Sequence, residues 1–385
     1  MDNTIVLQIE PTTENARNSE GAFITLKDGR ILFAYSKYIT DAHGDHAPSI
    51  IAARYSSDGG RTWSSQDRLL VERGNAINVM SVSFIRLQNG RILMGYLRKE
   101  EVGNGIVRCI PWVCFSDDEM ETLSEPLPTT DSLGYHVVNN DRMIQLDNGR
   151  IIIPVAYHRL GMPSLQSPPN PHWDGMRREG LIFYLLSDDS GQVWNESGTS
   201  YYRGFAGDQG LQEPGVIELH NGNLWSWTRT GWINGGACGR QWQSFSADSG
   251  HTWTEPEPSQ FVSPRSPLSM KRIPATGDLL AVWNDRSEFS TAKKALNRSA
   301  CFTDRTPLVS IISNDEGKTW RHRLAIEDNP KQGFCYTAIH FHEDAVLLAY
   351  CSGDATTKTQ LARLRIRRIA LENLYQSDQE YVNPD

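Results

Sequence analysis

Polar and charged residues recur just before apolar segments along this chain of 385 residues. The set combines acids, amides, arginines and a phenol, and carboxylates can transfer protons while guanidinium groups can bind anions. If the fold brings these positions together, they form a site that binds or converts a polar ligand. Its candidate members are Arg17, Asn18, Glu20, Asn78, Ser81, His136, Asn139, Asn140, Arg142, Gln212, Glu213, Arg265, Ser266, Ser269, Cys335 and Tyr336.

Six apolar segments with a polar turn in the middle must position these residues. Asp-Gly or Asn-Gly between two apolar runs is a strong signal for a β-hairpin, and most of the six turns contain such a pair or a related one. No segment keeps apolar residues at helical spacing over three turns, which argues against a helical fold. The segments read "FITLKDGRILFAYS", "FIRLQNGRILMGYL", "MIQLDNGRIIIPVA", "VIELHNGNLWSWTR", "MKRIPATGDLLAVW" and "AIHFHEDAVLLAYC".

A second repeat, Ser-x-Asp-x-Gly-x-Thr-Trp, runs in register with the hairpins. Its five copies, "SSDGGRTW", "SDDEMETL", "SDDSGQVW", "SADSGHTW" and "SNDEGKTW", begin 60, 71, 59 and 67 residues apart. The Asp can accept hydrogen bonds from turn amides, and the Gly can adopt the backbone angles of a tight turn. We expect the Trp to be buried between neighbouring units, so these Asp boxes are predicted to build the fold and to do no chemistry.

Six hairpins and five Asp boxes predict an all-β fold, a six-bladed β-propeller with four-stranded antiparallel blades. The repeats run from about residue 17 to 352, so we expect a single domain over 1–385 with a C-terminal strand and tail. Ligands of propellers usually meet the mouth of the central channel, where the innermost strand of each blade begins. The candidate residues precede those strands and are therefore predicted to converge there.

Composition narrows the class of protein. A formal net charge of −8 argues against a nucleic-acid partner. No apolar run is long enough to span a bilayer, and "MDNTIVLQIEPTTENARN" lacks the features of a signal peptide, which predicts a cytoplasmic protein without a membrane partner. The six cysteines show no metal-ligand pairing, and "HGDH" around Asp45 lacks a full ligand set, so no metal or cofactor is expected. The sequence leaves the oligomeric state open.

Several of the candidate segments resemble the sialidases (exo-α-sialidases of the neuraminidase superfamily), over essentially the whole chain. "QEPGVIELHNGNLWSWTR" is similar to the segment in which a Glu opens the fourth blade and an Arg follows, here Glu213 and Arg229. "RTPLVSIISNDEGKTW" matches the Arg before the last Asp box, here Arg305, and "GFCYTAIHFHEDAVLLAY" matches the Tyr of the final blade, here Tyr336. "GDHAPSIIAARYSSDGG" matches the loop Asp, here Asp45, and Arg17 precedes the first inner strand.

The resemblance implies a retaining exo-glycosidase that removes a terminal sialic acid or a related 2-keto-3-deoxy acidic sugar. Tyr336 would be the nucleophile with Glu213 as its base, and Asp45 would be the acid/base. Arg17, Arg229 and Arg305 would bind the carboxylate of the sugar. The remaining polar residues that we assign to substrate binding are Glu20, Asn140, Arg142 and Arg265.

Two other functions remain open on the sequence. A glycosidase or lyase for another acidic or furanosidic sugar would use Asp45, Glu20 and Glu213 without the tyrosine. A catalytically silent propeller would only bind carbohydrate. Two long segments, 161–180 with His172 and Trp173 and 286–304, are predicted as loops that border the site or form a subunit contact.

Overall fold

The structure is a computed structural model that describes residues 3–103, 105–160, 176–177, 179–202, 210–230, 239–287, 305–354, 361–376 and 380–381. These residues form β-strands joined by turns, with a short helix, α1 (Leu371–Leu374). Most of the two predicted loops, including His172 and Trp173, lies outside the described residues. Within the described ranges, no helix is long and apolar enough to cross a membrane.

Four of the sheets have four strands each, and all their neighbouring strands are antiparallel. Sheet I consists of β2 (Asn18–Thr25), β3 (Ile31–Tyr38), β4 (Ser49–Ser56) and β5 (Arg68–Val71). Sheet III consists of β16 (Leu211–Glu218), β17 (Leu224–Thr230), β18 (Gly239–Ser246) and β19 (Glu257–Ser263). Sheet IV consists of β20 (Ser269–Arg272), β21 (Leu279–Asn284), β22 (Leu308–Ser313) and β23 (Arg321–Glu327). Sheet V consists of β24 (Gln332–His342), β25 (Ala345–Asp354), β26 (Arg363–Ala370) and, at its edge, β1 (Asn3–Ile9).

Sheet II has ten strands and is made of two antiparallel groups. The first group contains β6 (Asn78–Arg86), β7 (Ile92–Glu101), β8 (Val107–Ser116) and β9 (Leu127–Pro128). The second contains β10 (Gly134–Val137), β11 (Ile144–Gln145), β12 (Ile151–Arg159), β13 (Leu181–Ser187), β14 (Asn195–Glu196) and β15 (Tyr201–Tyr202). A parallel pairing between Tyr135 and Cys109 joins the groups. In the second group β10 and β11 both pair with β12, and β14 and β15 both pair with β13, so each group has the order of a four-stranded sheet.

All six predicted hairpins are present in the structure. Their strands pair as β2–β3, β6–β7, β11–β12, β16–β17, β20–β21 and β24–β25. The turn of the first hairpin shows why glycine is needed there. Gly29 has φ 86°, a left-handed conformation that residues with a Cβ rarely adopt, and its amide bonds to the Leu26 carbonyl.

Apolar side chains fill the space between consecutive sheets. One cluster, for example, joins Phe23 and Phe33 of sheet I to Leu347 and Ile366 of sheet V. Similar clusters lie between sheets I and II, II and III, III and IV, and IV and V. The first strands β2, β6, β16, β20 and β24 also contact one another or the neighbouring sheet. The predicted all-β fold of antiparallel, mostly four-stranded sheets is confirmed, whereas the number of blades stays a prediction.

The five Asp boxes form the same hydrogen-bonded turn. In the first, Ser56 Oγ accepts a bond from the Gly60 amide at 2.9 Å, and Asp58 Oδ1 accepts one from the Thr62 amide at 2.9 Å. The second box lacks the Gly and the Trp, yet Met120 takes the glycine position with φ 69°. Trp253 and Trp320 are buried as expected, whereas Trp63 and Trp194 are only partly buried.

Four cysteines, Cys109, Cys114, Cys335 and Cys351, are buried free thiols. The other two, Cys238 and Cys301, lie outside the described residues. Among the described residues, no group of three His, Cys, Asp or Glu side chains is placed to hold a metal ion, and His43, Asp45 and His46 form no such group.

Candidate active site

A β-bulge near the start of each of four first strands aims one side chain at a common place. On β2 the pairing jumps from Ser19 to Ala22, so two residues face one residue of β3. The same jump occurs on β6, β16 and β24. A bulge turns the side chain at its extra residue away from the regular pleat, and bulges often occur beside active sites. The first extra residue in each is Glu20, Ser81, Glu213 or Tyr336.

All four bulge residues have a left-handed backbone. Their φ angles are 51° for Glu20, 59° for Ser81, 46° for Glu213 and 59° for Tyr336. A residue other than glycine pays about 1–3 kcal/mol for such strain, which persists only where the surrounding structure enforces it. Here the continuous pairing of each strand on both sides of the bulge enforces it. The same conformation at the same position of four first strands shows that a common backbone feature orients these four polar side chains.

The four side chains line one cavity of about 370 Å³. This volume suits a small ligand such as a single sugar. Seven of the predicted substrate or catalytic residues line it, and the predicted polar set also contributes Ser81, Asn139 and Gln212. The lining comprises Glu20, Gly44, Asp45, His46, Met80, Ser81, Leu97, Lys99, Tyr135, Val137, Val138, Asn139, Met176, Gln212, Glu213, Arg229, Arg265, Arg305 and Tyr336.

Tyr336, Glu213 and Arg229 form a connected group in this cavity. The Tyr336 hydroxyl donates a hydrogen bond of 3.2 Å to Glu213 Oε1. Arg229 holds the same carboxylate from the other side, with Nη2 2.9 Å from Oε1 and Nε 2.7 Å from Oε2. Glu213 and Arg229 are buried, with 6% and 8% of their surface exposed. Arg229 therefore fixes the orientation of Glu213, and Glu213 is placed to receive the phenolic proton.

The phenol of Tyr336 is neutral at physiological pH. Desolvation by the surrounding protein and the negative charge of Glu213 raise its pKa well above the usual range, and the charges of Arg305 and Arg229 oppose this only in part. A neutral phenol can approach an anionic substrate without repulsion. Because its pKa is high, it becomes a nucleophile only as a base takes its proton, and Glu213 lies at the required hydrogen-bonding distance.

Arg305 and Arg265 complete the positive side of the cavity. Arg305 Nη2 donates to the Arg265 carbonyl at 2.9 Å, and its Nη1 donates to Cys335 Sγ at 2.9 Å. Its guanidinium carbon also lies 5.4 Å from the centre of the Tyr336 ring. Arg229 Nη1 contacts the same Arg265 carbonyl at 3.3 Å. The shared carbonyl brings Arg229 and Arg305 together at one wall of the cavity.

Arg17 binds two carboxylates and lies behind the cavity lining. Its Nη1 is 2.6 Å from Asp45 Oδ1, and its Nη2 is 3.2 Å from Glu20 Oε1. Its guanidinium also packs 5.0 Å from the centre of the Tyr38 ring. The structure thus places Arg17 beside the site, where it contacts two of the groups that face the ligand space instead of facing it directly.

Asp45 and Glu20 have opposite pKa shifts. Desolvation would raise the pKa of Asp45, but the charges of Arg17 and Lys99 outweigh it and hold this pKa below the usual range. For Glu20, desolvation dominates and raises the pKa, although Arg17 and a hydrogen bond from the Ser81 hydroxyl act in the other direction. Asp45 is therefore ionised, and Glu20 is the carboxyl group that retains a proton more readily.

Asn140 and Arg142, which the sequence assigned to substrate binding, do not line the cavity. Asn140 Nδ2 donates to the Gly21 carbonyl at 2.6 Å and to the Tyr336 carbonyl at 3.2 Å. Arg142 donates to the Leu268 carbonyl at 2.8 Å and is 4% exposed. Both side chains bind main-chain groups of other sheets, because the regions between first strands offer unpaired carbonyls. They support the site without facing a ligand.

Lys99, Tyr135 and His46 also line the cavity, and none of them was among the residues predicted to bind substrate. Lys99 lies in the charged run "RKEE", which is typical of an exposed strand end. Its position two residues after Leu97, however, places both side chains on the same face of β7. His46 Nε2 lies 3.2 Å from the Tyr135 hydroxyl. The alternation Gly95, Leu97, Lys99 is the one sequence signal that could have indicated an inward lysine.

The charges around the cavity favour an anionic ligand. Four cations line it, Lys99, Arg229, Arg265 and Arg305, against the three carboxylates Glu20, Asp45 and Glu213. Arg17, immediately behind two of those carboxylates, adds a fifth positive charge. The local field is thus positive although the whole chain carries −8.

Solved structures with the same fold include several sialidases. The leech intramolecular trans-sialidase complexed with 2,7-anhydro-Neu5Ac is 15% identical with a TM-score of 0.68, over 97% of this chain and 71% of that one. The Hadza microbial sialidase Hz136 is 17% identical with a TM-score of 0.67, over 93% of this chain and 66% of that one. The intramolecular trans-sialidase from Ruminococcus gnavus is 14% identical with a TM-score of 0.67, over 96% of this chain and 97% of that one.

These likenesses establish the fold. This chain spans about two thirds of the length of the Hadza microbial sialidase. No curated protein matches the sequence. The predicted place in the sialidase and BNR-repeat superfamily is confirmed by the fold together with a family model described as a BNR repeat-like domain, which matches residues 99–348. Since that match covers well over half of the sequence, this chain belongs to the BNR repeat-like domain family.

Proposed function

We propose that this protein is a retaining exo-glycosidase that removes a terminal sialic acid or a related 2-keto-3-deoxy acidic sugar from a glycoconjugate or oligosaccharide. The observation that carries the proposal is the hydrogen bond between Tyr336 and Glu213 beside Arg229 and Arg305. Glycosidases that use a tyrosine nucleophile are the sialidases, an exception to the usual pair of carboxylates. The named sialidases and trans-sialidases of the same fold support the same substrate class.

The clamp for the sugar carboxylate consists of Arg229 and Arg305, with Arg265 next to them. Guanidinium groups bind a carboxylate through paired, charge-assisted hydrogen bonds, which a lysine cannot reproduce. The anomeric carbon of such a sugar bears its carboxylate directly, so a clamped carboxylate brings that carbon close to Tyr336. A carboxylate nucleophile would be repelled by the same negative charge, and the neutral phenol avoids this.

The role of Asp45 requires a proton that its carboxylate does not carry while it is paired with Arg17. Arg17 keeps its carboxylate ionised, whereas a general acid needs a pKa near the working pH. In our proposal the negative charge of a bound substrate lies near Asp45. This second negative charge raises the pKa of Asp45 and allows it to protonate the leaving oxygen. Asp45 then activates the water that releases the sugar.

A second candidate is supported by Glu20, whose pKa is raised by desolvation. In that case Glu20 would be the general acid of a glycosidase that uses carboxylates alone, and Tyr336 would only position the substrate. The two candidates differ in their response to Tyr336→Phe, which stops the first and spares the second.

The arrangement of blades belongs to the same proposal. Counting the two groups of sheet II separately gives six sheets of similar build, and the apolar clusters between consecutive sheets, with one joining sheet V to sheet I, support a closed ring. A six-bladed propeller would place the bulges of β2, β6, β16 and β24 around its axis. A cytoplasmic location and a single domain also remain proposals.

A fluorogenic α-sialoside tests the function directly, beside analogues made from other 2-keto-3-deoxy acids. The proposal expects release of the fluorophore by the wild type, with retention of the anomeric configuration in the first-formed sugar by NMR. Turnover of none of these sugars would refute it, and binding without turnover would favour a silent carbohydrate-binding protein.

A further inference from the structure

A buried lysine lies in the cavity wall without a carboxylate partner. Lys99, on β7, has only 2% of its surface exposed. Its ammonium donates to the main-chain carbonyl of Asp45 at 2.6 Å and to Met80 Sδ at 3.0 Å, and it lies 5.6 Å from the centre of the Tyr135 ring. Among the residues that the structure describes, no carboxylate oxygen lies within ion-pair distance of it.

The neighbouring carboxylates do not neutralise the charge of Lys99, because each is paired with an arginine. Arg98 Nε is 2.8 Å from Glu100 Oε1, and Arg108 Nη2 is 2.5 Å from Glu100 Oε2, on the other face of the strand. The Asp45 carboxylate is bound to Arg17 at 2.6 Å and acts on Lys99 only at longer range. An ammonium that has left water without a counter-charge is costly to the folded state. A group that costs stability and faces a cavity is expected to serve binding.

The surroundings of Lys99 define the ligand group that fits. Met80, Leu97, Tyr135 and Val138 line the same cavity and give this part of it apolar walls. A hydrogen bond between the ammonium and an anion is stronger in such low-dielectric surroundings. A thioether sulfur is uncharged and only a weak hydrogen-bond acceptor for the ammonium. The missing partner is therefore a small oxyanion. Lys99 belongs to sheet II, whereas Arg229 and Arg305 are on sheet III and just before β22 of sheet IV, so Lys99 and the carboxylate clamp reach the cavity from different sheets.

We propose that Lys99 binds a second oxyanion of the substrate, a carboxylate, sulfate or phosphate group carried in addition to the carboxylate that the arginines bind. The identity of the sugar rests on the proposed function, but the anion site at Lys99 does not. The substrate class narrows accordingly to acidic sugars that bear a further acidic substituent, which lies against Met80, Leu97 and Tyr135.

Affinities of an ulosonic acid and its O-sulfated derivative, measured by calorimetry, test this proposal. We expect the sulfated sugar to bind the wild type about 10- to 100-fold more tightly, the effect of a charge-assisted hydrogen bond. Lys99→Met should remove that advantage, so that the variant binds the sulfated and the unsulfated sugar with similar affinity. Equal affinities of the wild type for the two sugars, or an advantage that survives Lys99→Met, would overturn the proposal while the proposed function stands.

A second measurement decides the question even if neither sugar binds, an outcome that would refute the proposed function. Inorganic sulfate should raise the melting temperature of the wild type, and Lys99→Met should reduce this rise. Without sulfate, Lys99→Met should melt no lower than the wild type, because it removes an uncompensated charge. The matched control is Lys271→Met, since Lys271 pairs with the buried Asp141 at 2.7 Å. That variant should melt lower and keep the full sulfate effect. A full sulfate effect in Lys99→Met would overturn the proposal.

Discussion

Tyr336 donates a hydrogen bond of 3.2 Å to Glu213, although 123 residues separate them in the chain. Each residue is the first extra residue of a β-bulge, in β24 and β16 respectively, and each has a left-handed backbone. Glu20 and Ser81 repeat the relationship on β2 and β6, where the Ser81 hydroxyl donates to the Glu20 carboxylate. The same type of β-bulge therefore positions two carboxyl–hydroxyl pairs that face one cavity.

Removal of either partner of the first pair should stop turnover without unfolding the protein. Tyr336→Phe removes the nucleophilic oxygen, so we expect no measurable sialoside hydrolysis. Glu213→Gln keeps the shape but cannot take the proton, and kcat should fall about 10²–10⁴-fold. The control is Tyr350→Phe, which removes a hydroxyl that donates to Glu327 at 2.6 Å outside the cavity. It should keep the wild-type kcat, and an active Tyr336→Phe would favour the carboxylate-only mechanism.

The arginine clamp should be sensitive to replacement by lysine. Arg229→Lys and Arg305→Lys keep the charge but lose the planar pair of donors. Each variant should therefore lose about 1.5–3 kcal/mol of transition-state binding free energy, measured as a decrease in kcat/KM. Arg272→Lys is the matched control, because Arg272 binds Glu316 through two nitrogens at 2.7 and 3.1 Å away from the cavity. Its kinetics should be unchanged. If the two clamp variants lose stability and retain kcat/KM, these arginines are structural contacts between sheets.

Glu20 should make the protein less stable as the pH rises. The pKa of Glu20 is 4.5 in the unfolded chain and is raised in the folded state. At a pH above 4.5 the folded chain therefore binds more protons than the unfolded chain. The free energy of unfolding therefore falls as the pH rises from 4.5 through the folded pKa. Glu20→Gln abolishes this dependence and keeps a partner for Ser81, so the variant should gain stability over the wild type toward neutral pH. Denaturant unfolding at several pH values measures it, and a pH-independent difference would contradict it.

The Asp-box tryptophans should contribute to stability and not to activity. Trp320 is 2% exposed and packs on Trp225 and Phe261, with ring centres 6.4 and 5.3 Å away, so Trp320→Ala should cost about 3–5 kcal/mol. Trp63 is only partly buried, and Trp63→Ala should cost less. No box residue lines the cavity, so the kinetic constants of the folded fraction should match the wild type. A stable Trp320→Ala protein without activity would place the box in the site.

Short-range signals explain how much of this molecule could be predicted from its sequence. Asp-Gly or Asn-Gly located four of the six hairpins, and a polar turn between two apolar runs located the other two. These signals and the Asp boxes succeed because they depend on residues within about ten positions. Glu213 and Tyr336 were found because they precede those hairpins. Their positive φ angles were not predicted, since a bulge depends on the pairing with the next strand.

Contacts between sheets explain what the sequence did not predict. Arg142 was predicted to bind substrate, but its partners are Leu268 and Ser269, more than a hundred positions away. Lys99 was not among the predicted residues, and its contact with the Asp45 main-chain carbonyl joins positions 54 residues apart. The pairing of Arg17 with Asp45, which sets the protonation of the proposed acid, likewise depends on how that loop folds onto β2.

Mass spectrometry after reaction with a 3-fluoro-ulosonyl fluoride tests the central claim most directly. This reagent traps a covalent glycosyl-enzyme, because its leaving group accelerates formation of the intermediate and its 3-fluoro group slows hydrolysis. We expect one sugar adduct, on the peptide that contains Tyr336, and none in Tyr336→Phe. An adduct on Glu213 or Glu20, or turnover that inverts the anomeric centre, would contradict the tyrosine mechanism.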